Sequence, residues 1–174
     1  MKRLFIGIPL SNEIQELLSD LYVPSFEIKW IPEDNMHISL LFLGDVDRPT
    51  QIEIHQELEK IKMKSFTMSV DGVGHFSDRI FYAKVKPLEE INRLQLKIRN
   101  ALRNLDITFD TRKFKAHISL ARLKNLEENK LIALLKKNAQ LKSTDFEVNQ
   151  FFMYSSELSP KGPTYHQEMS YKLI

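Results

Sequence analysis

The sequence predicts an α+β protein: one domain made of two copies of a strand–helix unit. Three observations carry that reading. Short apolar segments of strand character alternate with segments of helical period. The tetrapeptide HISL occurs at 37–40 and again at 117–120. The order strand, helix, HISL strand, helix, strand runs from residue 3 and again from residue 79, with matching junctions IPLSNEI at 8–14 and VKPLEEI at 85–91.

The elements follow in order. RLFIGIPL at 3–10 is a buried strand ending at Pro9. Ser11 caps a helix whose apolar face is Ile14, Leu17, Leu18 and Leu21. KWIPEDN at 29–35 is a connector, and MHISLLFLG at 36–44 is a strand with Gly44 as its stop. Pro49 opens a helix carrying Ile54, Leu58 and Ile61. Residues 65–76 and 79–85 are strands joined by a short turn, and Leu88 to Leu105 mark an amphipathic helix. FKAHISLAR at 114–122 is the second histidine strand. Asn125 and Glu128 approximate a capping box for a helix through Lys137. Strands near 144–154 and 165–173 close the chain, with SPKGPTY between them as a loop.

Composition narrows the function classes. A chain of 174 residues with 43% hydrophobic and 28% charged residues can bury a core without staples. It has no cysteine, which removes disulfides, thiol nucleophiles and thiolate metal sites and fits a reducing compartment. The N-terminus lacks the apolar length and cleavage site of a secretory signal, and no apolar run has membrane-spanning length. A net charge of +2 permits a polyanionic partner without demanding one.

The repeated tetrapeptide carries the chemistry. Side chains alternate along a strand, so His37 shares a face with Ser39, and His117 with Ser119, about 7 Å apart. Ile38, Leu40, Ile118 and Leu120 then point into a core. A histidine flanked by Ile and Leu is ordinarily a strand histidine with a local hydrogen bond. Folding constraints explain a repeated apolar pattern, but they explain poorly a titratable residue repeated on the non-core face. Two imidazoles around one cleft supply a general base and a general acid near neutral pH. Two hydroxyls donate to non-bridging oxygens. That set suits displacement at phosphorus, and a cyclic phosphodiester best, because its leaving oxygen needs a proton and no metal is strictly required.

These residues resemble the two-histidine (2H) phosphoesterases, and specifically the LigT-like RNA 2′,3′-cyclic phosphodiesterases, also described as 2′-5′ RNA ligases. That family carries two H-x-T/S-φ motifs, φ being apolar. RLFIGIPL resembles its opening strand, WIPEDNMHISLLFLGDV its first motif, FKAHISLARLK its second and SSELSPKGPTYHQ its C-terminal loop. Both motifs here have serine where threonine is commoner. The resemblance implies a bilobal, pseudo-two-fold duplicated α+β fold. Two mainly antiparallel sheets would line a central cleft, with helices outside. The lobes would cover about 1–78 and 79–174, with the terminal strands open to exchange between them. It implies metal-independent, cofactor-free hydrolysis of an RNA 2′,3′-cyclic phosphate end, tRNA-derived fragments included, to a 2′-phosphomonoester. Weak 2′-5′ ligation, a cytoplasmic location and a monomer go with it. By position, His37 would be the general acid and His117 the general base, and the two roles can also be exchanged. Ser39, Ser119 and Arg122 would hold the phosphate. Phe42 would stack on the terminal base, and Lys115 and Tyr165 would touch substrate.

Other candidates carry less. Arg112, Lys113 and Lys115 read as a solvated loop or a phosphate-steering patch. Lys2 and Arg3 read as solvent-facing, within reach of a backbone phosphate. His75 follows a glycine pair too weak for a nucleotide fold. His55 is expected exposed on a helix, and His166 has no evident partner. No zinc spacing occurs. Two alternatives stand beside the leading reading: the same site acting on a small cyclic nucleotide or ADP-ribose derivative, and an RNA-end binding module with little turnover.

Overall fold

The structure is a computed structural model and describes residues 1–77, 79–110 and 112–174. Among the described residues nine strands and four helices follow one another as β1 (Lys2–Pro9), α1 (Asn12–Ser19), β2 (Ile28–Trp30), β3 (His37–Val46), α2 (Arg48–Glu59), β4 (Phe66–Phe76), β5 (Ile80–Lys86), α3 (Leu88–Leu102), β6 (His117–Leu123), α4 (Glu128–Lys137), β7 (Phe146–Val148), β8 (Gln150–Ser159) and β9 (Gly162–Lys172). A 3₁₀ turn at Glu33–Asn35 leads into β3.

The strands lie in the order β7-β4-β5-β6-β3-β1-β8-β9, with β2 also on β6, and every pairing is antiparallel. The path nearly parts at its centre, because β3 and β6 meet through the pair Ile38–Ile118. On one side of that join stand β3, β1, β8 and β9; on the other stand β6, β5, β4, β7 and β2. Each side therefore takes strands from both halves of the sequence. Asp78, where the expected lobe boundary and the turn before β5 fall, lies outside the described residues.

One apolar core joins the helices to one face of the sheet. It holds Leu4, Ile6 and Ile8 of β1, Ile38 and Leu40 of β3, Ile118 and Leu120 of β6, and the inner faces of all four helices. In α3 the stripe Ile91, Leu94, Ile98 and Leu102 is fully buried, at the spacing its sequence shows. Each such side chain contributes about 1.5–3 kcal/mol of burial. The opposite face of the sheet carries a separate cluster of Phe5, Phe152 and Tyr154, with Tyr165 packed on it. Among the described residues no helix is long and apolar enough to cross a membrane.

Several elements differ from the sequence reading, each for a local reason. The connector at 29–35 contains β2, which pairs with β6 from Ile28 to Trp30; the Trp30 indole donates to the Val23 carbonyl at 2.8 Å. Gly44 does not end β3. It takes φ 71° at an irregularity in the β1–β3 ladder, and the strand runs on to Val46. Ser11 caps α1, its hydroxyl accepting from Ile14 N at 3.4 Å. For α2 the cap is Asp47, which accepts from Thr50 N, with Pro49 in the first turn. Asn125 and Glu128 form no capping box. Asn125 sits at φ 53° in the turn leaving β6, and Glu127 occupies the cap position. SPKGPTY is a tight hairpin rather than a loop, with Ser159 paired to Gly162 and Tyr165 already in β9.

Candidate active site

The two HISL strands cross at their second residue. Ile38 opposes Ile118, both are 0% exposed, and both belong to the core. Their sequence neighbours therefore point to the other face. Carrying the antiparallel register one residue outward sets His37 level with Ser119, and Ser39 level with His117. A pseudo-two-fold axis through the isoleucine pair thus relates the motifs, with two imidazoles and two hydroxyls on one surface. The His117 charge is felt at His37, where it helps to lower the imidazole pKa.

Each ring is held in the same way. His37 Nδ1 lies 2.8 Å from the carbonyl of Asn35, and His117 Nδ1 lies 2.7 Å from the carbonyl of Lys115. A carbonyl only accepts, so both Nδ1 atoms carry hydrogen and both Nε2 atoms are the working nitrogens. Ser39 Oγ lies 2.8 Å from His37 Nε2 and donates to it while the ring is neutral. Asn35 is itself tied down, its side-chain nitrogen donating to the Pro163 carbonyl at 2.8 Å. The first motif is thereby fastened to the β8–β9 hairpin.

Aromatic rings wall both imidazoles. Phe5 lies 4.9 Å from the His37 ring centroid and Tyr165 meets it edge-on at 5.2 Å. Around His117, Phe76 and Tyr82 stand at 4.7 and 5.3 Å and stack on each other. Two glycines make room. A Cβ on Gly7 would stand 3.3 Å from His37 Cδ2 and 3.1 Å from the Ile38 carbonyl, and one on Gly74 would run into the Tyr82 ring. Burial is the main cause that lowers both imidazole pKa values, against the opposing pull of the Nδ1–carbonyl bonds. For His117 the nearby Lys115 charge lowers it further.

Strict alternation would send Phe42 and Arg122 to the core face. Both strands instead carry an irregularity at the same place. The β1–β3 register shifts between Ile6 and Gly7, and the β5–β6 register shifts between Phe81 and Tyr82. Leu40 with Leu41, and Leu120 with Ala121, are consecutively buried as a result, and the next residue emerges on the histidine face. Phe42, 58% exposed and 5.9 Å from Phe5, and the exposed Arg122 are thus equivalent positions of the repeat. Tyr165 packs on Phe5; burial raises the pKa of its hydroxyl, while the Arg122 charge pulls it down, so the two lie near each other. Lys115 places its ammonium 5.1 Å from the Phe76 ring centre. All eight residues singled out in the sequence therefore lie on or beside one surface.

The remaining candidates lie elsewhere. Lys2 binds Glu168, Arg112 binds Asp110, and His75 binds the Ser77 carbonyl. His55 is half-buried rather than exposed, with Nδ1 3.2 Å from the Tyr171 hydroxyl. His166 lies 3.4 Å from Glu157. Sequence reasoning missed Phe5, Phe76, Tyr82 and Tyr154, and the backbone carbonyls of Asn35 and Lys115. Phe5 and Tyr82 were within reach, because each lies on a strand adjoining a motif strand. The carbonyl contacts leave no sequence signal.

The family model described as LigT like Phosphoesterase matches residues 6–86 and again residues 83–165. Among similar proteins, the RNA 2′,3′-cyclic phosphodiesterase of Thermotoga maritima is 32% identical over 175 residues, covering 94% of this chain and 91% of that one. The protein of the same name from Archaeoglobus fulgidus is 31% identical over 171 residues, covering 94% and 96%. In fold, E. coli LigT crystallised with 3′-AMP superposes with a TM-score of 0.83 at 22% identity, covering 99% of this chain and 98% of that one. One family model matching both halves, and relatives spanning nearly the whole chain, place the protein in the LigT-like phosphoesterase family.

Proposed function

We propose that this protein hydrolyses 2′,3′-cyclic phosphate ends of RNA to 2′-phosphomonoesters through an acid–base pair of histidines, without a metal. The observation that carries the reading is the Ile38–Ile118 crossing, which turns both Nε2 atoms and both serines toward one surface. The name shared by the Thermotoga and Archaeoglobus relatives supports the substrate, and E. coli LigT, similar in fold, was crystallised with 3′-AMP. In this reading the two imidazoles carry the proton transfers.

In this reading water stands between His117 Nε2 and phosphorus, opposite the 3′ oxygen. His117 takes a proton from water as the new P–O bond forms. The P–O3′ bond breaks, its electron pair goes to O3′, and His37 Nε2–H protonates that oxygen. Ser39, Ser119 and Arg122 hold the non-bridging oxygens. Phe42 and Tyr165 face the terminal base, and Lys115 meets the phosphate side. A 5′-hydroxyl in the place of water gives a 2′-5′ linkage, a weak ligation that the same groups run in either direction. We read the protein as a monomer of the cytoplasm, the cysteine-free sequence fitting a reducing compartment. The test is a short RNA bearing a 2′,3′-cyclic end, incubated in EDTA with the product isomer identified. A 2′-phosphate is expected. A 3′-phosphate, or activity lost to EDTA, contradicts the reading.

A further inference from the structure

The two sides of the cleft match in backbone and differ in charge. Across the ladder from His37 stands Pro9; across from His117 stands Lys84. Two residues before each histidine stand Asn35 and Lys115, and five residues after stand Phe42 and Arg122. Beside the histidines themselves, neutral Pro9 and Asn35 at His37 face cationic Lys84 and Lys115 at His117, whereas Arg122 lies past Ser119, toward His37 and Tyr165. Lys29, opposite Arg122 in the β2–β6 ladder, belongs to the same end of the cleft as Arg122. Arg3, on the His37 side, stands opposite Asp45. A lone cyclic phosphate at the centre gives no reason for this imbalance. A ligand carrying more negative charge on one side does.

Lys84 lies on β5, across the ladder from His117. Among the described residues it makes no salt bridge, whereas its neighbour on the same face, Lys86, binds Asp71 at 3.0 Å. Lys84 also lines a cavity of about 570 Å³ with Gly72, Gly74, His75, Lys136 and Asp71, the carboxylate that Lys86 binds and whose pKa the Lys84 charge also helps to lower. That cavity is bounded by β4, two strand spacings from the His117 strand, roughly 10 Å.

We propose that Lys84, with Lys136 across this cavity, forms a subsite for the RNA phosphate on the 5′ side of the reacting nucleotide. The terminal base then lies on the His37 side, against Tyr165, and the rest of the strand leaves over the His117 side. The inference rests on the proposed hydrolysis and adds a direction to it.

Three substrates test it: a 2′,3′-cyclic mononucleotide with a 5′-hydroxyl, the same with a 5′-phosphate, and a trinucleotide with a cyclic end. For the native protein, kcat/KM should rise about tenfold on adding the 5′-phosphate and stay at least as high for the trinucleotide. Lys84→Gln should erase most of that gain, and Lys136→Gln part of it. Each should reduce the salt slope for the trinucleotide by roughly one. Lys97→Gln, on the outer face of α3, is the control and should keep both the gain and the slope. A gain unchanged in both variants, or a loss equal on all three substrates, overturns the subsite while leaving hydrolysis standing. A gain for the 5′-phosphorylated mononucleotide that vanishes in the trinucleotide overturns the RNA assignment in favour of a small nucleotide. Absence of turnover on all three would sink the hydrolysis reading and this subsite together.

Discussion

His117 donates from Nδ1 to the carbonyl of Lys115, two residues upstream and just before β6, at 2.7 Å. His37 makes the same contact with Asn35. The repeat has thus duplicated a way of holding an imidazole as well as the imidazole itself. Fixing Nδ1–H leaves Nε2 as the only ring atom that exchanges protons in the cleft.

Removing either ring should remove most of the rate. His37→Ala and His117→Ala are each expected to lower kcat about 10²–10⁴-fold, and the double variant should fall little further, because the two act as a unit. Single-turnover rates and RNA affinity, measured together, check this. Variants that both keep kcat within a few-fold of native would exclude an acid–base role.

The serines should behave as oxygen holders. Ser39→Ala and Ser119→Ala are each expected to lower kcat/KM about 10–10³-fold. Ser39→Thr and Ser119→Thr keep the hydroxyl and should stay within roughly threefold of native, since threonine differs by one methyl that limits its rotamers. Steady-state kinetics on the cyclic-ended RNA reads both.

Gly7→Ala tests the space beside His37. The added Cβ would sit 3.1 Å from the backbone oxygen of Ile38, which cannot swing away as a side chain can. A loss of about 1–3 kcal/mol in stability is expected from crowding, with kcat falling about tenfold as the ring is displaced. Thermal melting and kinetics together check it; an unchanged kcat would show that the ring does not depend on this gap.

Phe42→Ala should raise KM about tenfold through lost base stacking, worth about 1–3 kcal/mol. The melting temperature should barely move, because the ring is 58% exposed. A large drop in melting temperature would mean that Phe42 serves the fold instead.

Much of this was legible in the sequence, and the gaps have physical causes. The alternation around HISL put both histidines and both serines off the core, and the repeat placed them in equivalent strands. Amphipathic spacing marked α3 from Leu88, but carried it to Leu105, one turn past its end at Leu102. Pairing partners were not legible, because register is set by which strands meet. The Ile38–Ile118 crossing and the neighbours Pro9 and Lys84 therefore emerge only in three dimensions. The paired irregularities after Ser39 and Ser119 were equally hidden. Phe42 and Arg122 reach the cleft only because Leu40–Leu41 and Leu120–Ala121 break the alternation. The hairpin at Ser159–Gly162 was obscured by Pro160 and Pro163, which suggest a loop wherever the turn geometry is unknown.

The most direct test of the paired-histidine account is the pH dependence of kcat/KM on a cyclic-ended RNA. The base must be neutral and the acid protonated, so the rate should fall on both sides of an optimum. Burial holds both imidazoles below 6.5 in the free protein, and the His117 charge holds His37 lower still. Both limbs, as macroscopic values of the coupled pair, should therefore lie on the acid side of 6.5. The profile of kcat should shift upward, because a bound phosphodiester anion favours the protonated rings. A bell with its optimum below 6.5 that collapses to one limb in His37→Ala or His117→Ala is the result this account predicts. A profile with a single limb in the native protein, or two limbs that survive both substitutions, would contradict it.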